Sequence, residues 1–499
     1  LNMRIQLVSD VHGRFDKVEV DKSADIIVCP GDVAENLSVG LEFLKKLEKP
    51  VIFIPGNHEF YKHDLTERIE ELKYHCSQTP NVVFLDNDTI TLEQEKGEDV
   101  RIIGTTLWSD FGGFNPLLAD TSGAYMNDYI YIGAKNLLSD RDFAKKVEDL
   151  EKYVDSNIKK HINDRSPAGD IYKTNYHMRL KTIESKLSKL DNFDKSKLSI
   201  KQFKQICRFR EFHYTPAISY LLHLHNREWL ENEMSESFNG KTLVLTHHAP
   251  SKTALSMSRF TTAIPTMDFS NIFKRNTNGY KIGAYASSFE NSPYLNNIDA
   301  WVHGHFHERM IYRLGNAAVH CNPTGNRHNQ PDRTGLPQYT FTISDEEKSQ
   351  ALAHHINHTI FIASKLSELY STVLGGDRDY FEQLRNKNIY FNVYDELETL
   401  MNSLKTTTEF KNSFNLANDL FFPLQGLYEP YLTIDDNDLI NEKDLYRLLN
   451  ETKERVNTLS VNLSEWVLDV NSSIKDTPIF KDFTSETIVE KNDVDGELD

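Results

Sequence analysis

Cysteine is scarce in this chain of 499 residues: Cys29, Cys76, Cys207 and Cys321 lie far apart and form no Cys-x-x-Cys pair. That spacing excludes a disulfide framework or a zinc knuckle and predicts reduced thiols packed as small apolar groups. No run approaches the roughly 20 apolar residues that cross a bilayer. The opening stretch, Met3-Arg4-Ile5-Gln6-Leu7-Val8, reads as a strand rather than a secretory leader. A cytoplasmic protein that does not enter membranes is predicted. Positive charge is also in deficit, with 56 Lys and Arg against 74 Asp and Glu and a formal net charge of -18. That balance excludes a protein that coats nucleic acid or anionic lipid over its whole surface, but it leaves room for a local basic patch. Internal repeats and low-complexity linkers are missing as well.

What is present is a globular balance, 39% hydrophobic and 26% charged, in a chain long enough for two or three domains. Short apolar runs alternate with amphipathic stretches up to about residue 107. Ile5 to Val8, Ile26 to Cys29, Val51 to Ile54, Val82 to Leu85 and Arg101 to Gly104 are predicted strands, with helices at about 37 to 48 and 63 to 77 between them. The texture returns at Thr242 to Thr246 and Ala300 to His303, and at Tyr312 to Cys321, a hairpin turning at Gly315-Asn316. The two ends therefore belong to one α/β layer structure. Between them, residues 141 to 210 hold 18 basic against 10 acidic side chains, a net +8. Residues 341 to 499 run the other way, with 30 acidic and 14 basic, few glycines and helix-period apolar positions. The predicted organisation is a catalytic domain over 1–340 interrupted by a basic helical insertion at 141–211, an acidic all-helical domain over 341–490, and a disordered tail over 491–499.

Five segments concentrate metal-binding side chains, each where a predicted strand gives way to a loop: Ser9-Asp10-Val11-His12-Gly13, Gly31-Asp32-Val33, Gly56-Asn57-His58-Glu59, Thr246-His247-His248-Ala249-Pro250 and His303-Gly304-His305-Phe306-His307. In open α/β sheets ligands bind at the carboxyl ends of strands. Carboxylate, amide oxygen and imidazole together suit a hard-to-borderline divalent cation. The number of donors implies two ions, which requires one carboxylate to bridge them. Asp32, which lies between the other two N-terminal segments, is the expected bridge.

In this order the five blocks resemble the calcineurin-like metallophosphoesterase superfamily, over about residues 4 to 110 and 212 to 330. Thr106-Leu107-Trp108-Ser109-Asp110, Met126-Asn127-Asp128, Pro250 and Asn322-Pro323-x-Gly325 are similar to a bacterial branch of it. The resemblance implies an α/β fold, a two-sheet metallophosphoesterase β-sandwich flanked by helices, carrying here the helical insertion and the all-helical C-terminal domain. It implies Asp10, His12, Asp32 and His307 around one metal and Asp32, Asn57, His247 and His305 around the other. His58 would be the catalytic histidine rather than a ligand, acting beside Asn57 and Asp32 on the transferring phosphoryl group. Two divalent ions follow, manganese first, with iron, zinc or nickel also suited to these donors.

The remaining histidines read as structural. His248 lines the pocket or bonds to backbone, His303 packs in the core or behind the ligands, His223 and His225 are structural, and His354, His355 and His358 form a solvated helical face. Trp108 and Asp110 border the pocket or pack beneath it. The expected activity is hydrolysis of a phosphate ester by direct attack of a metal-bridging hydroxide, with a nucleotide or nucleic-acid phosphodiester placed ahead of a monoester or phosphoprotein. The basic insertion over 171–210 supplies the reason, since lysines and arginines interleaved with Phe193, Phe203, Phe209 and Phe212 suit phosphate contacts and base stacking. A plain amphipathic hairpin is its rival reading. An interaction protein docking a partner through 341–490, or a nuclease within a complex, are the competing functions.

Overall fold

The structure, a computed structural model, describes residues 2–162, 172–179, 181, 213–251, 253–257, 282–325, 335–352 and 354–355. Eleven strands among them form two mixed sheets. The first sheet has the order β11-β1-β2-β3-β4, with β1 at Arg4–Leu7, β2 at Ile26–Cys29, β3 at Val51–Phe53, β4 at Val82–Phe84 and β11 at Thr340–Thr342. The second has the order β5-β6-β7-β8-β10-β9, with β5 at Asp88–Leu92, β6 at Val100–Thr105, β7 at Lys241–Thr246, β8 at Ala300–His303, β9 at Met310–Leu314 and β10 at Ala317–Cys321. Strands β1 to β4 are mutually parallel, as are β6, β7, β8 and β10. Only β11, β5 and β9 run antiparallel to their neighbours, all at sheet edges.

Parallel strands covered on both faces read as unbroken apolar runs rather than alternating ones, and Ile26-Ile27-Val28-Cys29 is buried throughout. Its period of two nevertheless sorts the side chains. Ile26 and Val28 join Ile5, Leu7, Ile52, Ile102, Leu243, Leu245 and Val302 in the core between the sheets. Ile27 and Cys29 face the other way, onto the helices Leu37–Lys46 and Leu65–Ser77. Those helices are started by Asn36 and Asp64, whose side chains accept from backbone N–H groups of the first turn. The outer face of the second sheet, with Val244, Trp301 and Val319, is covered by Leu230 and Met234 of the helix Pro216–Ser235.

The hairpin turns as expected, Leu314 pairing with Ala317. Two strands went unforeseen. Strand β5 is half exposed along its whole length, so it lacks the apolar run that marks the others. Strand β11 straddles residue 340, the expected domain boundary, and Phe341 and Ile343 complete the core between the sheets. Residues 345–352 are helical, and Ala351 and Leu352 are buried. Of the basic insertion, the helix Arg141–His161 and the helical residues 172–179 are described; Lys186 to Arg210 lie outside the described residues, as does the acidic region from 356 to 499. No helix among the described residues is long and apolar enough to cross a membrane.

Candidate metal centre

All six parallel strand ends that carry donors or pocket residues open on the same edge of the sandwich. Asp10 and His12 follow β1, Asp32 follows β2, Asn57 and His58 follow β3, Trp108 and Asp110 follow β6, His247 follows β7, and His305 and His307 follow β8. The chain reaches that edge at a conformational cost. Asp10, His12, Asp32, His305 and His307 all have positive φ, between 47° and 70°, a region that costs a residue with a Cβ about 1–2 kcal/mol. Such strain persists where surrounding contacts over-determine it, and it concentrates at functional sites. Here the contacts are explicit. The Glu59 carboxylate accepts from the N–H groups of Asp32 (2.8 Å), Val33 (2.8 Å) and Gly56 (2.7 Å), tying the loop after β2 to the loop after β3. The Asp10 carboxylate accepts from His305 N at 2.9 Å, which ties the first sheet to the second. Gly56 has no room for a side chain, since a Cβ there would stand 2.6 Å from Cε1 of His247 and collide with Asp32 Oδ1.

The donors converge in two groups that share one residue. Asp10, His12, Asp32 and His307 form one, and Asp32, His247 and His305 the other, with the ligand atoms of each group within 4.8 Å of one another. Asp32 Oδ2 is the common point, lying 3.5 Å from His247 Nε2, 3.7 Å from His12 Nε2 and 4.0 Å from His58 Nε2. Nε2 of His12 and Nε2 of His307 are 2.8 Å apart, a hydrogen bond if one ring carries the proton and two converging lone pairs if neither does. Asn57 joins the second group through its amide oxygen, 2.8 Å from His247 Nε2 and 3.1 Å from His305 Nδ1. The structure therefore brings together all seven residues expected to bind metal. Asp32 Oδ2 is buried with no hydrogen-bond partner, an expensive condition for a polar atom that a cation would relieve. The donor set and this orphaned atom fit a pair of divalent ions.

Electrostatics favour the same occupants. Burial acts to raise the Asp32 carboxyl, but His247, His58 and His12 outweigh it and hold Asp32 well below the usual carboxylate range. Burial also acts against the His247 imidazolium, yet Asp32 and Asp10 lift that ring to about 9. With Nδ1 of His247 donating to the Pro30 carbonyl (2.6 Å), its Nε2 faces two oxygens and a positive charge is stabilised between them. Desolvation pushes His12, His305 and His307 down, favouring the neutral imidazole, the form that ligates a metal.

His58 stands apart from the ligands. Its side chain is 26% exposed where Asp32 is 1% exposed, its N–H donates to Asp32 Oδ1 at 2.9 Å, and its ring stacks on Tyr61 at 4.2 Å. His248 is buried behind the site, with Nδ1 3.3 Å from the Thr106 carbonyl and its ring against His305 and Trp108. His303 is a core histidine, packed against Tyr312. His223 sits against the carbonyls of Leu107 and Trp108, and Trp108 itself is buried against Phe60 and Tyr214. The expectation of a solvated face at His354, His355 and His358 fails at His355, which is fully buried with Nδ1 3.1 Å from the Arg313 carbonyl; His358 lies outside the described residues. Two contributors were missed in role. Glu59 and Asp128 lie within the sequence motifs, but the motifs do not reveal what their carboxylates hold. The Asp128 carboxylate accepts from Asn57 Nδ2 and from the Tyr61 hydroxyl, both at 2.7 Å. Burial pushes that carboxyl up, and these hydrogen bonds offset the rise only in part.

Fold and site together define a metal-dependent phosphoester hydrolase. Residues 3–151, the stretch that carries Asp10, His12, Asp32, Asn57 and His58, match the model of the calcineurin-like phosphoesterase family. No curated protein matches the chain in sequence. Among solved structures it is similar to phosphopantetheinyl hydrolase from Mycobacterium tuberculosis, at 13% identity and a TM-score of 0.36, over 68% of this chain and 96% of that one. It is also similar to a putative 5'-nucleotidase from Staphylococcus aureus, at 12% identity and a TM-score of 0.25, over 70% of this chain and 58% of that one.

Proposed function

We propose that the protein is a dinuclear phosphodiesterase acting on a nucleotide or nucleic acid. Asp10, His12, Asp32 and His307 would hold one ion, and Asp32, Asn57, His247 and His305 the other. The ions would supply positive charge to the phosphoryl oxygens and lower the pKa of the attacking water. The observation that carries the reading is the pair of donor groups meeting at Asp32. Around them the chain's own residues divide the work. Asp32 and Asp10 set the negative potential that retains the cations. His58, at the more open side, contacts a phosphoryl oxygen or gives its proton to the leaving oxygen. A covalent route through cysteine finds no support among the described residues, because Cys29, Cys76 and Cys321 are buried and burial drives their thiols up.

Preference for a diester rests on where the basic insertion joins the domain. It leaves after Asp140 and returns at His213, which pairs with Gly133, while Tyr214 packs on Trp108 and Tyr129 at the wall of the site. The +8 segment is thus rooted beside Asp128 and Tyr61. Metal-stripped protein refilled with Mn(II) is expected to hydrolyse bis-p-nitrophenyl phosphate and single-stranded nucleic acid faster than p-nitrophenyl phosphate. Replacing Lys201, Lys204, Arg208 and Arg210 together by Ala should weaken cleavage of nucleic acid while sparing the small diester. Activity on the monoester alone would turn the reading to a phosphomonoesterase, and equal loss on both diesters would remove the insertion from substrate binding.

A further inference from the structure

Asn57 has two faces, and only one of them is useful to a cation. Its carbonyl oxygen must point at His247 and His305 for the amide to act as a ligand, and its NH2 must point away. Side-chain amides flip easily unless a neighbour discriminates oxygen from nitrogen. The neighbour here is Asp128, 71 residues further along the chain, on the short helix Asp128–Tyr131. It is buried to 2% exposure, as is Asn57. An ionised carboxylate only accepts, so with Asn57 Nδ2 at 2.7 Å from Asp128 Oδ1 the amide nitrogen is drawn to that side and the oxygen is left facing the two imidazoles. Asp128 is itself held. The Tyr61 hydroxyl, 2.7 Å away, donates to the same Oδ1, and the Tyr61 ring lies against His58.

We infer that Asp128, locked by Tyr61, is a positioning residue that fixes the Asn57 amide with its oxygen toward the second metal. The inference rests on the reading of Asn57 as a ligand. Partners that orient a metal ligand typically change metal affinity by roughly 10- to 100-fold when removed. Asp128→Asn has the same shape but can present either an oxygen or an NH2 to Asn57, so it removes the discrimination together with one negative charge, whereas Tyr61→Phe leaves the charge in place. Tyr61→Phe retains the ring against His58 and removes only the hydroxyl.

The test is calorimetric titration of metal-stripped full-length protein with Mn(II), each variant being checked for wild-type circular dichroism and melting behaviour. Asp128→Asn is expected to weaken one of the two Mn(II) binding events by roughly 10- to 100-fold and the other far less. Tyr61→Phe should weaken the same event by a smaller factor. A carboxylate that merely braced the fold would lower the melting temperature and leave Mn(II) affinity alone. If Asp128→Asn does not fold, Tyr61→Phe decides. Wild-type affinity in a folded Asp128→Asn, or in Tyr61→Phe where only that variant folds, overturns the inference. Asn57→Ala separates the two levels. Loss of one ion there with wild-type binding in the other variants overturns the positioning role alone, whereas two ions retained in Asn57→Ala overturn the ligand reading and the inference with it.

Discussion

His58 shows how one residue can sit among ligands without being one. Three imidazole nitrogens stand within 4.0 Å of Asp32 Oδ2, those of His247, His12 and His58. His58 is the most exposed of the three, at 26% against 12% for His12 and 0% for His247, and so the one that substrate reaches most readily. Replacing it by Ala is therefore expected to lower turnover by roughly 10²- to 10⁴-fold, the usual contribution of a positioned acid or base, while the Mn content measured on the desalted protein stays at the wild-type level. Loss of metal in that variant would make His58 a ligand. At this scale the sequence was most informative. A divalent pair demands carboxylates, an amide oxygen and imidazoles, and the blocks around Asp10, Asp32, Asn57, His247 and His305 display them in plain form. What stayed hidden was support. Glu59 is quoted in any reading of its block, but nothing in Gly-Asn-His-Glu says that its carboxylate binds three backbone N–H groups across two loops. Asp128 meets Asn57 only because the chain returns to the site after β6.

At the scale of elements, strands with unbroken apolar runs were legible and edge strands were not. Strand β11 is three residues long, too short for a period to show, yet Phe341 stacks on His320 of β10 at 4.3 Å and closes the core between the sheets. His320 is fully buried, with Nδ1 2.9 Å from the Tyr339 hydroxyl. Burial, helped by His303 and His354, pushes its pKa down to about 3. The unfolded chain, with an ordinary histidine pKa of about 6.5, takes up this proton first as pH falls. Stability is thus intact above that value and is lost progressively between about 6.5 and 3. At pH 5 the loss from His320 alone amounts to about 2 kcal/mol. Urea unfolding of metal-stripped protein at pH 7 and pH 5 is expected to show a smaller drop in His320→Leu than in wild type, by that margin. Parallel pH slopes in the two proteins would mean that His320 titrates normally. The buried His355 was misread for a related reason. Helical spacing shows which residues share a face, but not that β9 lies against it.

For the whole molecule, the distribution of charge matters more than its sum. A net -18 hides a +8 segment, residues 141 to 210, rooted beside the site, and an acidic stretch from 341 onward. If the basic segment guides a nucleic-acid strand, cleavage of that substrate should fall steeply with salt while hydrolysis of a small diester changes little. All of this depends on the two sheets meeting at one edge, so that donors from β1, β2 and β3 face donors from β7 and β8 across Asp32. The most direct measurement is the number of Mn(II) ions bound per chain, after stripping and refilling, by wild type and by Asp32→Ala. Two ions in the wild type and loss of tight binding at both positions in the variant are expected, with activity abolished. One ion in the wild type, or one ion still tightly held by Asp32→Ala, would contradict a centre bridged by Asp32.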